Sequence, residues 1–137
     1  MEQAIELFAA INFLIIGLSH VFQHRAWAEF FILLHRQGRP GAFANGFLSL
    51  ITGTLIVAFH NVWSGIPVIL TVLGWAFVLK AALIFLVPNL GLRSMARVRP
   101  DNSRLSVIPG VMLVLVAFAL GFSLWRGWNG VASQAGP

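Results

Sequence analysis

AFANGFLSLITGTLIVAF (residues 42–59), HNVWSG (60–65) and IPVILTVLGWAFVLKAALIFLV (66–87) form the stretch whose reading decides the fold. Each apolar run is long enough to cross a bilayer, which takes about 20 mostly apolar residues. A link as short as 60–65 makes the two runs antiparallel neighbours, so they read as a membrane hairpin. Pro67 sits in the first turn of the second run, where its missing N–H costs little. Pro88 closes that run, because the residue before a proline is pushed out of helical geometry. The hairpin carries one lysine within its apolar length, Lys80, and one histidine at its turn, His60.

The rest of the chain extends the same pattern. Of 137 residues, 58% are hydrophobic and only 9% charged. Soluble domains carry about 25% charged residues, so nine Lys+Arg and four Asp+Glu are too few to cover a water-facing surface. A first span is expected over about 4–24 and a fourth over about 105–125. Between the first two spans, residues 26–35 are too short to cross and begin with Trp27, which fits a short helix lying in the membrane plane. His35 to Gly41 then reads as a turn and 89–104 as a loop, and the tail 129–137 is expected to be disordered. The fold class is therefore all-α: a bundle of four membrane helices with one interfacial helix after the first. The N-terminus lacks a basic leader and a small-residue cleavage site, so it reads as a retained helix rather than a signal peptide.

Charge sets the expected orientation. Arg25, Arg36 and Arg39 precede the second span, and Arg93, Arg97, Arg99 and Arg104 follow the third; the 60–65 link has no Lys or Arg. Positively charged loops stay in the cytoplasm. Both termini and the hairpin turn are thus expected on the outer side of a bacterial inner membrane. The net charge of +5 is spent on this pattern, so nucleic acid is not an expected partner. The expected partners are the lipid bilayer and other membrane subunits, or further copies of the chain.

Small residues supply the packing faces. Ala42, Gly46, Ser49 and Gly53 share one side of the second span, Gly17 lies on the inward side of the first, and Ala117 and Gly121 pair on the fourth. At such positions helix backbones approach closely, the usual basis of packing where lipid offers no hydrophobic drive.

Five polar or aromatic positions are candidates for ligand binding: Lys80, His20, Glu6, His60 and Trp75. At 100° per residue Glu6, Ala10, Phe13, Gly17, His20 and His24 fall within about 40° of one direction. A charge in hydrocarbon costs at least a few kcal/mol, which turns this face inward. Glu6 and His60 share the outer depth, where a carboxylate–imidazole contact is feasible; separate solvation of the two groups is the plainer alternative. Lys80 lies towards the inner boundary, either reaching for headgroups along its flexible stem or serving as a cation inside the bundle. Trp75, beside Gly74 in mid-span, reads as packing or as a pocket wall.

Metal and cofactor chemistry find little footing. His20 and His24 stand at i and i+4, a metal-compatible spacing that still needs a third ligand. Without cysteine, thiolate sites and thiol redox chemistry are excluded. A bis-histidine haem needs axial ligands at matched depth, yet His60 is expected at the opposite boundary from His20 and His24. No cofactor is therefore expected, with haem or quinone left to a redox-subunit reading. There is no Gly-rich phosphate loop, no paired carboxylates and no nucleophile–base spacing, so no catalytic residue is assigned.

His60-Asn61-x-Trp63, Gly74-Trp75, Lys80 and Pro88 together resemble the central hairpin of small four-helix bacterial membrane proteins, and the size and layout are similar to the DoxX-like group. The resemblance covers about a third of the chain and implies no activity. The small multidrug resistance transporters also have four short helices and a glutamate in the first; Glu6, however, is too near the membrane boundary to match it. These readings lead to a non-enzymatic accessory or structural subunit of a membrane complex. The alternatives are a small oligomeric transporter or ligand-binding protein using Lys80 and the Glu6/His20 face, and a redox subunit.

Overall fold

The computed structural model describes residues 2–134, which are helical in six α-helices and one 3-10 turn. Helix α1 spans Glu2–Phe22, α2 His24–Arg36, α3 Arg39–Phe59, α4 Val68–Leu86, α5 Pro88–Met95 and α6 Val107–Gln134. The 3-10 turn Pro100–Ser106 precedes α6. Four of these, α1, α3, α4 and α6 with the turn before it, are long and apolar enough to cross a membrane.

The four long helices form two antiparallel pairs, and glycine sets the closeness of each. In the α1/α6 pair, a Cβ on Gly17 would come within 2.8 Å of the Gly110 carbonyl oxygen, and one on Gly110 within 2.8 Å of the Gly17 oxygen. In the α3/α4 pair, a Cβ on Gly53 would lie 2.8 Å from the Gly74 oxygen, and one on Gly74 would strike Ile56 at 2.6 Å. Backbone therefore rests on backbone at both crossings, a close approach that favours dispersion contact. Gly46 extends the α3/α4 contact towards Ile84 and Phe85. Ser49 is buried beside it and returns its hydroxyl to the Asn45 carbonyl at 3.1 Å.

The two pairs share a core near the start of α1. Ala9, Ala10 and Phe13 of α1 meet Ile56 of α3, Leu70 of α4, and Ala117 and Leu120 of α6. A second, smaller core closes the opposite end, where Leu34 of α2, Ala42 of α3, Ile84 of α4 and Met95 of α5 pack together. The large side chains pointing away from both cores are apolar: Ile15, Ile51, Leu79, Leu115 and Phe118 are each more than 60% exposed. A soluble bundle would carry polar residues there.

Several boundaries differ from those the sequence suggests. Helix α1 ends at Phe22, two residues before the bound expected for the first span, because the backbone leaves the helical region at Gln23 (φ −111°, ψ 36°) and restarts as α2. Helix α3 begins at Arg39 rather than 42: only Gly38, at φ 65°, breaks the chain, and Pro40 is absorbed into the first turn, where its fixed φ suits a helix start. Pro88 ends one helix and opens the next, so 89–104 is largely helix α5 and a 3-10 turn instead of an open loop. The tail expected to be disordered from 129 is helical to Gln134; residues 135–137 lie outside the described part. Gly121 is exposed and a Cβ there meets nothing within 4 Å, so it floors an open groove instead of packing a helix.

Candidate functional site

The buried polar cluster forms where α3 hands over to α4. His60 terminates α3 in an extended conformation (φ −141°, ψ 100°), with its N–H still bonded to the Ile56 carbonyl at 2.7 Å. That geometry folds the imidazole inward, where it is fully buried. The His60 Nε2 lies 3.3 Å from Glu6 Oε1, and Nδ1 lies 3.2 Å from Thr71 Oγ1. Thr71, in the first turn of α4, donates its hydroxyl hydrogen to the Val62 carbonyl at 2.8 Å. Glu6 is 6% exposed and Thr71 fully buried.

The hydrogens on this chain of groups can be placed. A carbonyl only accepts, so the single Thr71 hydrogen is committed to Val62. Oγ1 must then accept from His60, which puts a hydrogen on Nδ1. Between Nε2 and Glu6 Oε1 a hydrogen bond requires one more proton, held formally by either partner. The pair is therefore neutral as a whole, as burial demands, and it joins α1 to the α3–α4 connection. The residue types resemble a hydroxyl–imidazole–carboxylate triad, but the Thr71 hydrogen is directed away from His60 and the hydroxyl is closed off. The geometry clamps helices; it does not activate a nucleophile.

Of the five candidate ligand residues, the structure brings only Glu6 and His60 together. His20, at the far end of α1, is 14 residues from Glu6, about 21 Å of helix. Its ring stacks on Trp27 with centroids 3.7 Å apart, and its Nδ1 donates to the Ile16 carbonyl at 2.9 Å. Trp27 in turn donates from Nε1 to Ser19 Oγ at 3.0 Å, which fastens α2 to α1. Lys80 lies on the exposed flank of α4, and its Nζ reaches across to Asn45 Oδ1 of α3 at 3.4 Å. Trp75 is 47% exposed on the outer surface of α4. None of these five lines a surface groove among the described residues.

The His20/His24 pair also separates. The break at Gln23 places the two on different helices, which removes the i, i+4 alignment. The His24 Nδ1 lies instead 3.2 Å from Ser103 Oγ, tying the start of α2 to the 3-10 turn. Among the described residues, no group of three or more His, Asp or Glu side chains is gathered as for a metal ion.

Thr71 and Asn45 are the functional-looking polar residues that the sequence did not single out. Both sit within apolar runs where one hydroxyl or amide barely alters the hydropathy. The signal for Asn45 was its place beside Gly46 on the face bearing small residues; for Thr71 it was only proximity to the turn.

The remaining concavities are on the outer surface. A groove of about 450 Å³ runs along α1 and α6 between Gln3, Ala4, Leu7, Gly121, Trp125 and Trp128. It continues along the same seam past Ile11, Leu14 and Phe118. At the opposite end a trough of about 550 Å³ is lined by His24, Arg104, Val107, Ile108, Val111 and Met112. In comparison with known proteins, no family model, no curated protein and no solved structure matches this chain.

Proposed function

We propose that this chain is a four-span integral protein of the bacterial inner membrane, working as a non-enzymatic accessory subunit that binds other membrane proteins or further copies of itself. One observation carries the reading. The buried side-chain nitrogens and oxygens of the described residues all have partners within the chain, while the open concavities lie on the outward, apolar surface. A transporter or enzyme keeps polar groups free towards a cavity; here they are spent on joining helices. The interaction chemistry is on the outside, where Phe118, Trp125 and Trp128 are each more than 60% exposed.

In this arrangement the arginine-bearing end faces the cytoplasm, with α2 lying along that interface. The Glu6–His60 end and both termini face outward. Helix α6, at 28 residues, is about 42 Å long and outruns the roughly 30 Å hydrocarbon core, which sets Trp125 and Trp128 at the outer headgroups. The resemblance of the central hairpin to that of small four-helix bacterial membrane proteins, and of size and layout to the DoxX-like group, supports this reading and adds no activity. Transport through Lys80 and the Glu6/His20 face, or redox chemistry with haem or quinone, has less support, because those residues serve three separate pairings.

The test is photo-crosslinking from native membranes with benzoylphenylalanine in place of Phe118, on the α1/α6 seam. The expected result is one discrete protein adduct, a second membrane protein or another copy of the chain. Adducts to lipid alone, with a monomer on native electrophoresis, would contradict the assignment.

A further inference from the structure

The trough beside the start of α6 has the form of a site for an amphiphile with an anionic head. Its lining joins Arg104 and His24 to the apolar Val107, Ile108, Val111 and Met112. His24 is held in place by its bond to Ser103, the residue next to Arg104, so the two cationic or polar groups are fixed to the same turn. From Val107 to Met112 the helical wall is about 7.5 Å long at 1.5 Å per residue, with Arg104 one 3-10 turn before it, enough for a phosphate followed by the upper part of an acyl chain. Ile108 and Met112 are 57% and 61% exposed, so the wall is open from the side.

Charge selects the head. Arg25, Arg36, Arg39, Arg93, Arg97, Arg99 and Arg104 all belong to the segments at this end of the bundle. Glu29 and Asp101 belong to the same segments, but among the described residues the one salt bridge is Glu6–His60, at the other end, so neither carboxylate pairs with these guanidinium groups. A guanidinium binds phosphate oxygens through paired N–H donors. Basic recesses beside membrane helices on the cytoplasmic side are suited to anionic lipid headgroups. A carboxylate of a partner protein would satisfy the charge but would leave the apolar wall unused.

We infer that the Arg104–His24 trough is a binding site for an anionic phospholipid, with the phosphate at Arg104 and an acyl chain along Val107–Met112. The inference depends on the chain being embedded in a membrane, as proposed above, but not on its having a protein partner.

The experiment is native mass spectrometry of the full chain ejected from nanodiscs containing equal phosphatidylglycerol and phosphatidylcholine. Wild type is expected to retain phosphatidylglycerol in preference to phosphatidylcholine. Arg104→Gln is expected to lose that retention about fivefold, the factor for one cation at a membrane surface, while Arg126→Gln, at the opposite end of α6, leaves it unchanged. Val111→Trp, which fills the trough and keeps every charge, is expected to lower retention as well. Thermal melting of each variant confirms that it is folded. Equal retention of the two lipids, an Arg104→Gln variant that behaves as wild type, or an indifferent Val111→Trp would overturn the site. So would displacement of the lipid by soluble glycerol phosphate, which would mark a head-only site. A chain that stays soluble and never enters the nanodisc would overturn the membrane reading, and this site with it.

Discussion

His60 is the residue on which the α3–α4 end of the molecule turns. Its two ring nitrogens serve two different elements, Glu6 on α1 and Thr71 on α4, while its backbone still closes α3. Removing the ring leaves a buried carboxyl and a buried hydroxyl without their partner, and breaking a buried pair from one side costs about 3–5 kcal/mol. His60→Ala is therefore expected to lower stability by that amount, read as a shifted unfolding midpoint in detergent micelles. Glu6→Gln should cost no more than about 1.5 kcal/mol, near the net value of one hydrogen bond, because the new amide can donate to Nε2. Equal losses for the two variants would mean that the proton shared between Glu6 and His60 is not what holds the cluster together. Matched depth made a Glu6–His60 contact feasible in the sequence, but separate solvation was the plainer expectation, and the buried pair overturns it. Thr71 was not legible, since its role depends on how far His60 swings out of the helical path, which no spacing rule encodes.

Between elements, the two glycine crossings decide how closely the pairs sit. A methyl group on Gly53 would press on the Gly74 oxygen and the Val78 nitrogen, both at 2.8 Å, and backbone atoms cannot rotate away as a side chain can. Gly53→Ala is expected to destabilise by about 1–3 kcal/mol, the usual range for overpacking. Gly121→Ala, with open space around it, should be neutral or gain up to about 1 kcal/mol of helix propensity. Denaturant titration of both variants checks the contrast, and a similar loss at Gly121 would mean that α6 packs there after all. The small-residue faces of α3 and α1 could be read from periodicity because their neighbours were already implied by the short 60–65 link and by the inward polar stripe. On α6 the same pattern misled: Ala117 is in the core, but one turn later the seam has opened. Gly74 was read only as the neighbour of Trp75, and Gly110 was not singled out, because it precedes the expected Ala117/Gly121 pair by two turns. The break at Gln23 also had no proline or glycine to announce it; it follows from α2 folding across the bundle end, where Trp27 stacks on His20.

The whole molecule has a closed interior, with its buried side-chain polar atoms paired among the described residues, and an exterior of exposed large apolar side chains. Hydropathy was sufficient for four long helices, and the arginine pattern for grouping their ends; tertiary docking of α2, α5 and the 3-10 turn over the second core depended on contacts that composition does not carry. The central claim is that these helices cross a membrane with the arginine-bearing end in the cytoplasm, and the absence of native cysteine makes it directly measurable. Ser64→Cys, in the α3–α4 connection, and Ala96→Cys, after α5, both occupy exposed positions and can be probed with a membrane-impermeant maleimide. Ser64→Cys is expected to label in intact spheroplasts, and Ala96→Cys only after permeabilisation. The reverse pattern, labelling of both before permeabilisation, or recovery of the chain in the aqueous fraction after lysis would contradict the account.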